Sequence, residues 1–127
     1  MTTQPSLFVS HGAPTLALGD VPAADFMKTL GRSLGKPKAI LVVSAHYEIE
    51  GGVAVGTAAR PETIHDFYGF PDALYELRYE PPGDPALADE VASALGAAGF
   101  DVRRDAARGL DHGVWVPLRF LFPEADV

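Results

Sequence analysis

Four histidines give this chain its most adaptable chemistry, and two of them, His11 and His46, close its most apolar runs. The first run reads Leu7-Phe8-Val9-Ser10-His11-Gly12-Ala13-Pro14-Thr15, and the second Ala39-Ile40-Leu41-Val42-Val43-Ser44-Ala45-His46. Neutral imidazole is the commonest protein ligand for zinc, iron and copper, so two of them delivered to one place would form half of a metal site. A histidine that follows a strand is ordinarily just a polar loop residue. The joint setting lifts this pair above that background. Serine stands closely before each, and the Gly-Ala-Pro-Thr after His11 leaves little bulk near an ion.

To meet, the two imidazoles need elements that bring them to one end of a sheet. Short β-branched runs closed by Gly or Pro predict strands buried on both faces, at residues 6–10 and 39–44. Between them residues 22–34 read as a helix with Phe26, Leu30 and Leu34 on one face, ended by Gly35 and Pro37. This β-α-β unit makes the two strands parallel, and the C-terminal ends of such strands share one crevice. Residues 52–57 predict a third strand. The long loop over 58–71, carrying Thr63-Ile64-His65-Asp66-Phe67-Tyr68-Gly69-Phe70-Pro71, invites a functional explanation.

Residues 75–79 read as extended, and Pro81-Pro82-Gly83 then breaks the chain ahead of a helix capped by Asp84, with Pro85 at its first position and Leu87, Val91 and Leu95 as its buried stripe. Gly99 stops it, and residues 100–105 predict another short strand. Leu110-Asp111-His112-Gly113 leads into a last helix through Val114, Trp115 and Leu118, with Pro117 expected in its first turn. The expected fold is therefore α/β: one unfinished domain, a mostly parallel open sheet flanked by helices, with the metal site at the C-terminal ends of the strands. About four strands and three helices would leave an open edge prone to association, so either a partner chain, such as a second copy, completes the sheet or the sequence is a fragment.

Composition narrows the partners. With 127 residues, 47% of them hydrophobic, the chain suffices for one domain with a modest core. A net charge of −7 argues against nucleic acid or an anionic membrane surface, which leaves a small molecule. The sequence shows no apolar run of transmembrane length and no secretory signal at its start, making the cytoplasm the default compartment. Zero cysteine removes disulfides and thiolate ligands together, so any metal must use nitrogen and oxygen donors.

Four blocks in order, Ser10-His11-Gly12-Ala13-Pro14-Thr15, Val43-Ser44-Ala45-His46-Tyr47-Glu48, Thr63 to Pro71, and Leu110-Asp111-His112-Gly113-Val114-Trp115, resemble the DODA-type extradiol aromatic ring-opening dioxygenases, the LigB-like class III family. The match spans nearly the whole chain, residues 1–127, as the N-terminal part of a LigB-like domain about twice as long. The resemblance implies a mononuclear site, with ferrous iron for catalysis and zinc in isolated protein, and His11 and His46 as ligands. It places a third ligand and an acid/base histidine in the C-terminal half. His65 and His112 match motif positions near the pocket, implying substrate contact for His65 and proton handling for His112. The implied substrates are dioxygen and a catechol-type, DOPA-like aromatic diol.

The chemistry explains why such residues would be needed. Dioxygen reacts sluggishly with a catechol, and a redox metal with open positions can hold both at once. Each assignment has a plainer counterpart: a solvent-exposed turn for His65, local hydrogen bonding at a helix start for His112. Phe67, Tyr68, Phe70 and Trp115 suit either an aromatic wall or a loop anchored to the core, and Arg78, Arg103, Arg104 and Arg108 suit an ordinary charged surface. Two other functions fit the same histidines. A zinc hydrolase would bind metal but consume no oxygen, and a non-enzymatic binding protein would hold the ion weakly.

Overall fold

Proline and aspartate set the helix starts of this chain, and the computed structural model describes residues 3–127. In chain order come a 3-10 turn over Pro14–Leu18, α1 over Pro22–Leu34, β1 over Val53–Gly56, α2 over Asp72–Tyr75, α3 over Pro85–Ala97, β2 over Val102–Asp105 and α4 over His112–Leu121. Helix α3 begins as its sequence dictates: the Asp84 side chain accepts a hydrogen bond from the Leu87 N–H, and Pro85 fills a position whose N–H would otherwise lack a partner. Helix α1 also opens on proline, at Pro22.

β1 and β2 pair in parallel, with Val53 opposite Val102 and Gly56 opposite Asp105, and α3 forms the crossover between them. A single parallel bridge joins Thr63 to Leu110, where Ile64 N–H donates to the Leu110 carbonyl and Leu110 N–H to that of Glu62. This bridge carries the loop over 58–71 to the start of α4.

The core gathers around α4. Trp115 and Val116 are fully buried, joined by Leu118, Phe120 and Leu121 from the same helix, Ala24 and Met27 from α1, and Leu16, Phe67, Leu74 and Tyr79. The Trp115 indole N–H donates to the Ile64 carbonyl at 2.8 Å, so burying the ring leaves no orphaned donor. Helices α1 and α4 touch where Gly31 lies against the Leu121 carbonyl; a Cβ there would collide with that backbone.

Several expectations need correction. The runs at 6–10 and 39–44 enter no hydrogen-bonded ladder among the described residues, so the only sheet described is the β1–β2 pair. A parallel strand is stable only between neighbours that cover its edges and faces; here Phe8 and Val43 are 103% and 94% exposed and Leu41 is largely exposed too. The metal-site residues accordingly follow unpaired runs, not strands. The buried face of α1 is Ala24, Met27 and Gly31, while Phe26 points to solvent and Leu30 and Leu34 are half-buried, because α1 meets α4 through its small residues. Tyr75 ends the short helix α2 instead of opening an extended segment. Helix α4 starts at His112, which puts Pro117 in its interior. The parallel pair, α1, α3 and the capping roles of Asp84 and Asp111 lie where the sequence predicts.

Candidate metal centre

The N-terminus of α4 organises the site. Asp111 is its cap, accepting from the Gly113 N–H at 2.9 Å through Oδ1. The same oxygen accepts from the Ser44 hydroxyl at 2.7 Å, and Oδ2 pairs with the Arg108 guanidinium at 3.0 Å. Asp111 is 2% exposed, so both oxygens need such partners. Ser44 also accepts from the His46 N–H, and Arg108 donates to the His46 carbonyl while stacking over the Tyr47 ring at 4.3 Å. One buried carboxylate thus ties the end of the second apolar run to the first turn of α4.

Ser10 repeats the serine pattern on the first run, its hydroxyl accepting from the Gly12 N–H. The outcome is that His11, His46 and His112 converge. His11 Nε2 and His46 Nε2 are 2.8 Å apart, and the His112 ring centroid stands 4.6 Å from that of His11 and 4.1 Å from that of His46. One ring nitrogen from each of the three lies within 4.8 Å of the others. Gly113 makes room for this: a Cβ at that position would sit 2.8 Å from His46 Cδ2 and 2.9 Å from Ser44 Oγ.

The electrostatics favour ligation. Burial, reinforced by the neighbouring His112 and His46 rings, holds the His11 imidazole below its usual pKa and therefore neutral, the form that binds metal. Asp66 reaches over from the loop to accept from the His112 backbone N–H at 2.9 Å, and its Oδ1 lies 2.9 Å from His112 Nδ1. Burial alone would raise the Asp66 carboxyl, but its contacts with the His112 backbone N–H and ring bring it below the ordinary range. Behind His46, burial and the hydrogen bond to Asp105 push the Tyr47 hydroxyl up to about 12.

These residues fit a divalent ion. Nitrogens bound at 2.0–2.1 Å to one zinc lie roughly 3.0–3.4 Å from each other, so the His11–His46 pair needs to open by only a few tenths of an ångström. Without an ion, two Nε2 atoms 2.8 Å apart can share only one proton, one ring donating and the other accepting. His46 faces solvent and His112 is buried, so an ion held there has a wall on one side and access on the other.

His65 lies apart from the trio. Its Nε2 is 2.8 Å from the Leu77 carbonyl, with the Arg78 guanidinium 3.2 Å away. The ring packs against Phe67, Tyr75 and Trp115, and Phe67 in turn contacts His112 edge-on, so one aromatic ring separates His65 from the cluster. Phe67 and Trp115 belong to the core, Phe70 packs against its margin, and Tyr68 is 92% exposed. A cavity of about 490 Å³ opens elsewhere, between Lys28, Arg78, Tyr79 and Arg119, and touches none of the three clustered histidines. Asp66 and Gly113 were not singled out in the sequence as site residues, and Arg108 read as surface charge. An acidic residue directly after a motif histidine was the one signal that could have exposed Asp66.

The chain is similar to several known proteins. The family described as the catalytic LigB subunit of aromatic ring-opening dioxygenase matches residues 5–127. A 4,5-DOPA dioxygenase extradiol from Beta vulgaris is 44% identical over 126 residues, covering 96% of this chain and 47% of the relative. The Escherichia coli K12 protein of the same name is 41% identical, covering 99% of the chain and 46% of the relative. A dioxygenase from Hapsidospora irregularis is 39% identical, over the whole chain and 43% of the relative. The crystal structure of an uncharacterised Escherichia coli K12 protein superposes with a TM-score of 0.60 at 31% identity, covering 86% of this chain and 38% of that one. The chain spans a little under half the length of the relatives it matches.

Proposed function

From the premise that this chain belongs to the LigB family of aromatic ring-opening dioxygenases, we propose that its histidine cluster serves extradiol opening of a catechol-type, DOPA-like ring by dioxygen. The observation that carries this reading is the convergence of His11 and His46, Nε2 to Nε2 at 2.8 Å, with His112 beside them. In this reading residues 1–127 are the N-terminal part of a LigB-like domain. A C-terminal half or a partner copy completes the fold, with the cysteine-free chain acting in the reducing cytoplasm.

His11 and His46 would hold the ion, iron(II) for catalysis with zinc(II) able to occupy the site in isolated protein. When bound, ferrous iron would supply a redox partner for dioxygen and lower the pKa of a chelated catechol hydroxyl. The chain does the rest. His112, buried beside the ligands with Nδ1 against Asp66, handles protons of the substrate hydroxyls through its other nitrogen. In this reading His65, which stands one aromatic ring away from His112 across Phe67, contacts the substrate. Asp111, Ser44 and Arg108 keep His46 facing His11, since each bonds to the backbone or neighbours of His46.

The test begins with metal. Titration of the metal-free chain with cobalt(II), followed by its visible absorption, is expected to show one equivalent bound, and His11→Ala and His46→Ala each to weaken it at least 100-fold. Ferrous iron loaded without air, followed by a catechol and oxygen, is then expected to give coupled oxygen uptake and a coloured ring-opened product. Binding as tight in both variants as in the parent would sink the ligand assignment, and metal binding with hydrolysis but no oxygen uptake would sink the dioxygenase reading.

A further inference from the structure

We propose that Asp66 is a positioning residue that fixes the proton of His112 on Nδ1 and so presents Nε2, with its lone pair, to the space shared with His11 and His46. The inference rests on the metal-site reading for its purpose, but not for its geometry. His112 is 6% exposed, and its Nδ1 is sealed from solvent; Asp66 Oδ1 stands against it at 2.9 Å, close enough to pair although the ring is not aligned for a straight hydrogen bond. A carboxylate can only accept, so the imidazole nitrogen facing it must carry the hydrogen. In a neutral ring the other nitrogen is then the acceptor. Only that nitrogen remains for partners on the side where the His11 and His46 rings stand, at 4.6 and 4.1 Å between centroids.

Asp66 also holds the backbone at this place. Its Oδ1 takes the N–H of His112, the first residue of α4, while Asp111 takes that of Gly113. Two carboxylates therefore serve the first two amides of one helix, and they divide the labour. Asp111 is turned toward Ser44 and Arg108 and orders the His46 side of the site, whereas Asp66 alone reaches the His112 ring. A cap needs only an acceptor oxygen, which asparagine also offers. Setting the tautomer of a sealed imidazole needs a group that cannot donate. The two roles can thus be separated by Asp66→Asn, whose amide can turn its NH2 toward the ring.

The experiment is long-range proton–nitrogen NMR of the metal-free, 15N-labelled chain, with the His112 ring assigned by its loss in His112→Gln, and thermal midpoints measured in parallel. His112 is expected as the pure Nδ1–H form in the parent. In Asp66→Asn it becomes a mixture of tautomers while the midpoint moves by only a few degrees, and in Asp66→Ala both the tautomer and the midpoint change. A parent spectrum showing Nε2–H would overturn the proposal without any variant being needed, as would an unchanged Nδ1–H signal in folded Asp66→Asn. The metal-site reading fails by a different result, undiminished cobalt binding in His11→Ala and His46→Ala.

Discussion

Where a side chain would grow from Gly113, the edge of the His46 ring already stands. Gly113→Ala therefore forces either the imidazole or the first turn of α4 to move, since a Cβ 2.8 Å from His46 Cδ2 is inside van der Waals contact. Alanine favours the helix by up to about 1 kcal/mol over glycine, so stability changes little, while cobalt affinity is expected to fall 10-fold or more. Spectroscopic titration beside a thermal melt separates the two effects. A second residue gives the chain a pH limit. Burial, with the charge of Asp126 adding to it, pushes the Tyr79 hydroxyl up to about 12, and that hydroxyl donates to the Phe122 carbonyl at 2.8 Å. The folded pKa exceeds the unfolded value near 10, so this contribution is whole below pH 10 and is lost as pH rises through 12. It is worth up to roughly 2–3 kcal/mol. Denaturant midpoints measured from pH 8 to 12 should fall steeply for the parent and less for Tyr79→Phe, which begins about 1 kcal/mol less stable for want of the hydrogen bond.

At the scale of elements, the crossing of α1 and α4 depends on a position with no side chain. Glycine inside a helix costs about 1 kcal/mol relative to alanine, yet Gly31→Ala is expected to destabilise the fold by roughly 1–3 kcal/mol, because the added methyl meets the Leu121 backbone. Urea unfolding checks the sign, and a stabilised variant would show that the helices are free to slide apart. This crossing also shows what the sequence could convey. Helix α1 was legible from Pro22 to Gly35, but its buried face was not: Phe26 promised the core and points outward, since small residues let two backbones approach and periodicity counts only large ones. Caps were legible because Asp84 and Asp111 act on amides two or three residues away. The pairing of His11 with His46 was legible through their matched settings, whereas the contact of Asp66 with His112 joins a loop to the start of a helix far along the chain, and its one local signal is that Asp66 follows His65.

Over the whole molecule, packed and bare regions alternate along the chain. The 3-10 turn, α1 and residues from β1 onward enclose the core, while Phe8, Leu41 and Val43 lie open to water on two unladdered runs. A net charge of −7 keeps such chains apart only while it is unscreened, and at physiological salt its reach is about 8 Å. Self-association followed by sedimentation is expected to rise as salt increases from 20 to 500 mM, because the Debye length shrinks from roughly 20 Å to about 4 Å. Phe8→Asp with Val43→Asp should abolish it without lowering the thermal midpoint, since neither side chain is buried. Association unchanged in that double variant would place the sticky surface elsewhere.

His11 and His46 stand at the seam between those two regions, each at the end of an uncovered run. Whatever polypeptide shelters the runs must also restrain the imidazoles that follow them, and an ion gripped by the imidazoles must restrain the runs. Thermodynamic reciprocity makes the two effects equal: the factor by which shelter tightens the grip on the ion is the factor by which the ion tightens the shelter.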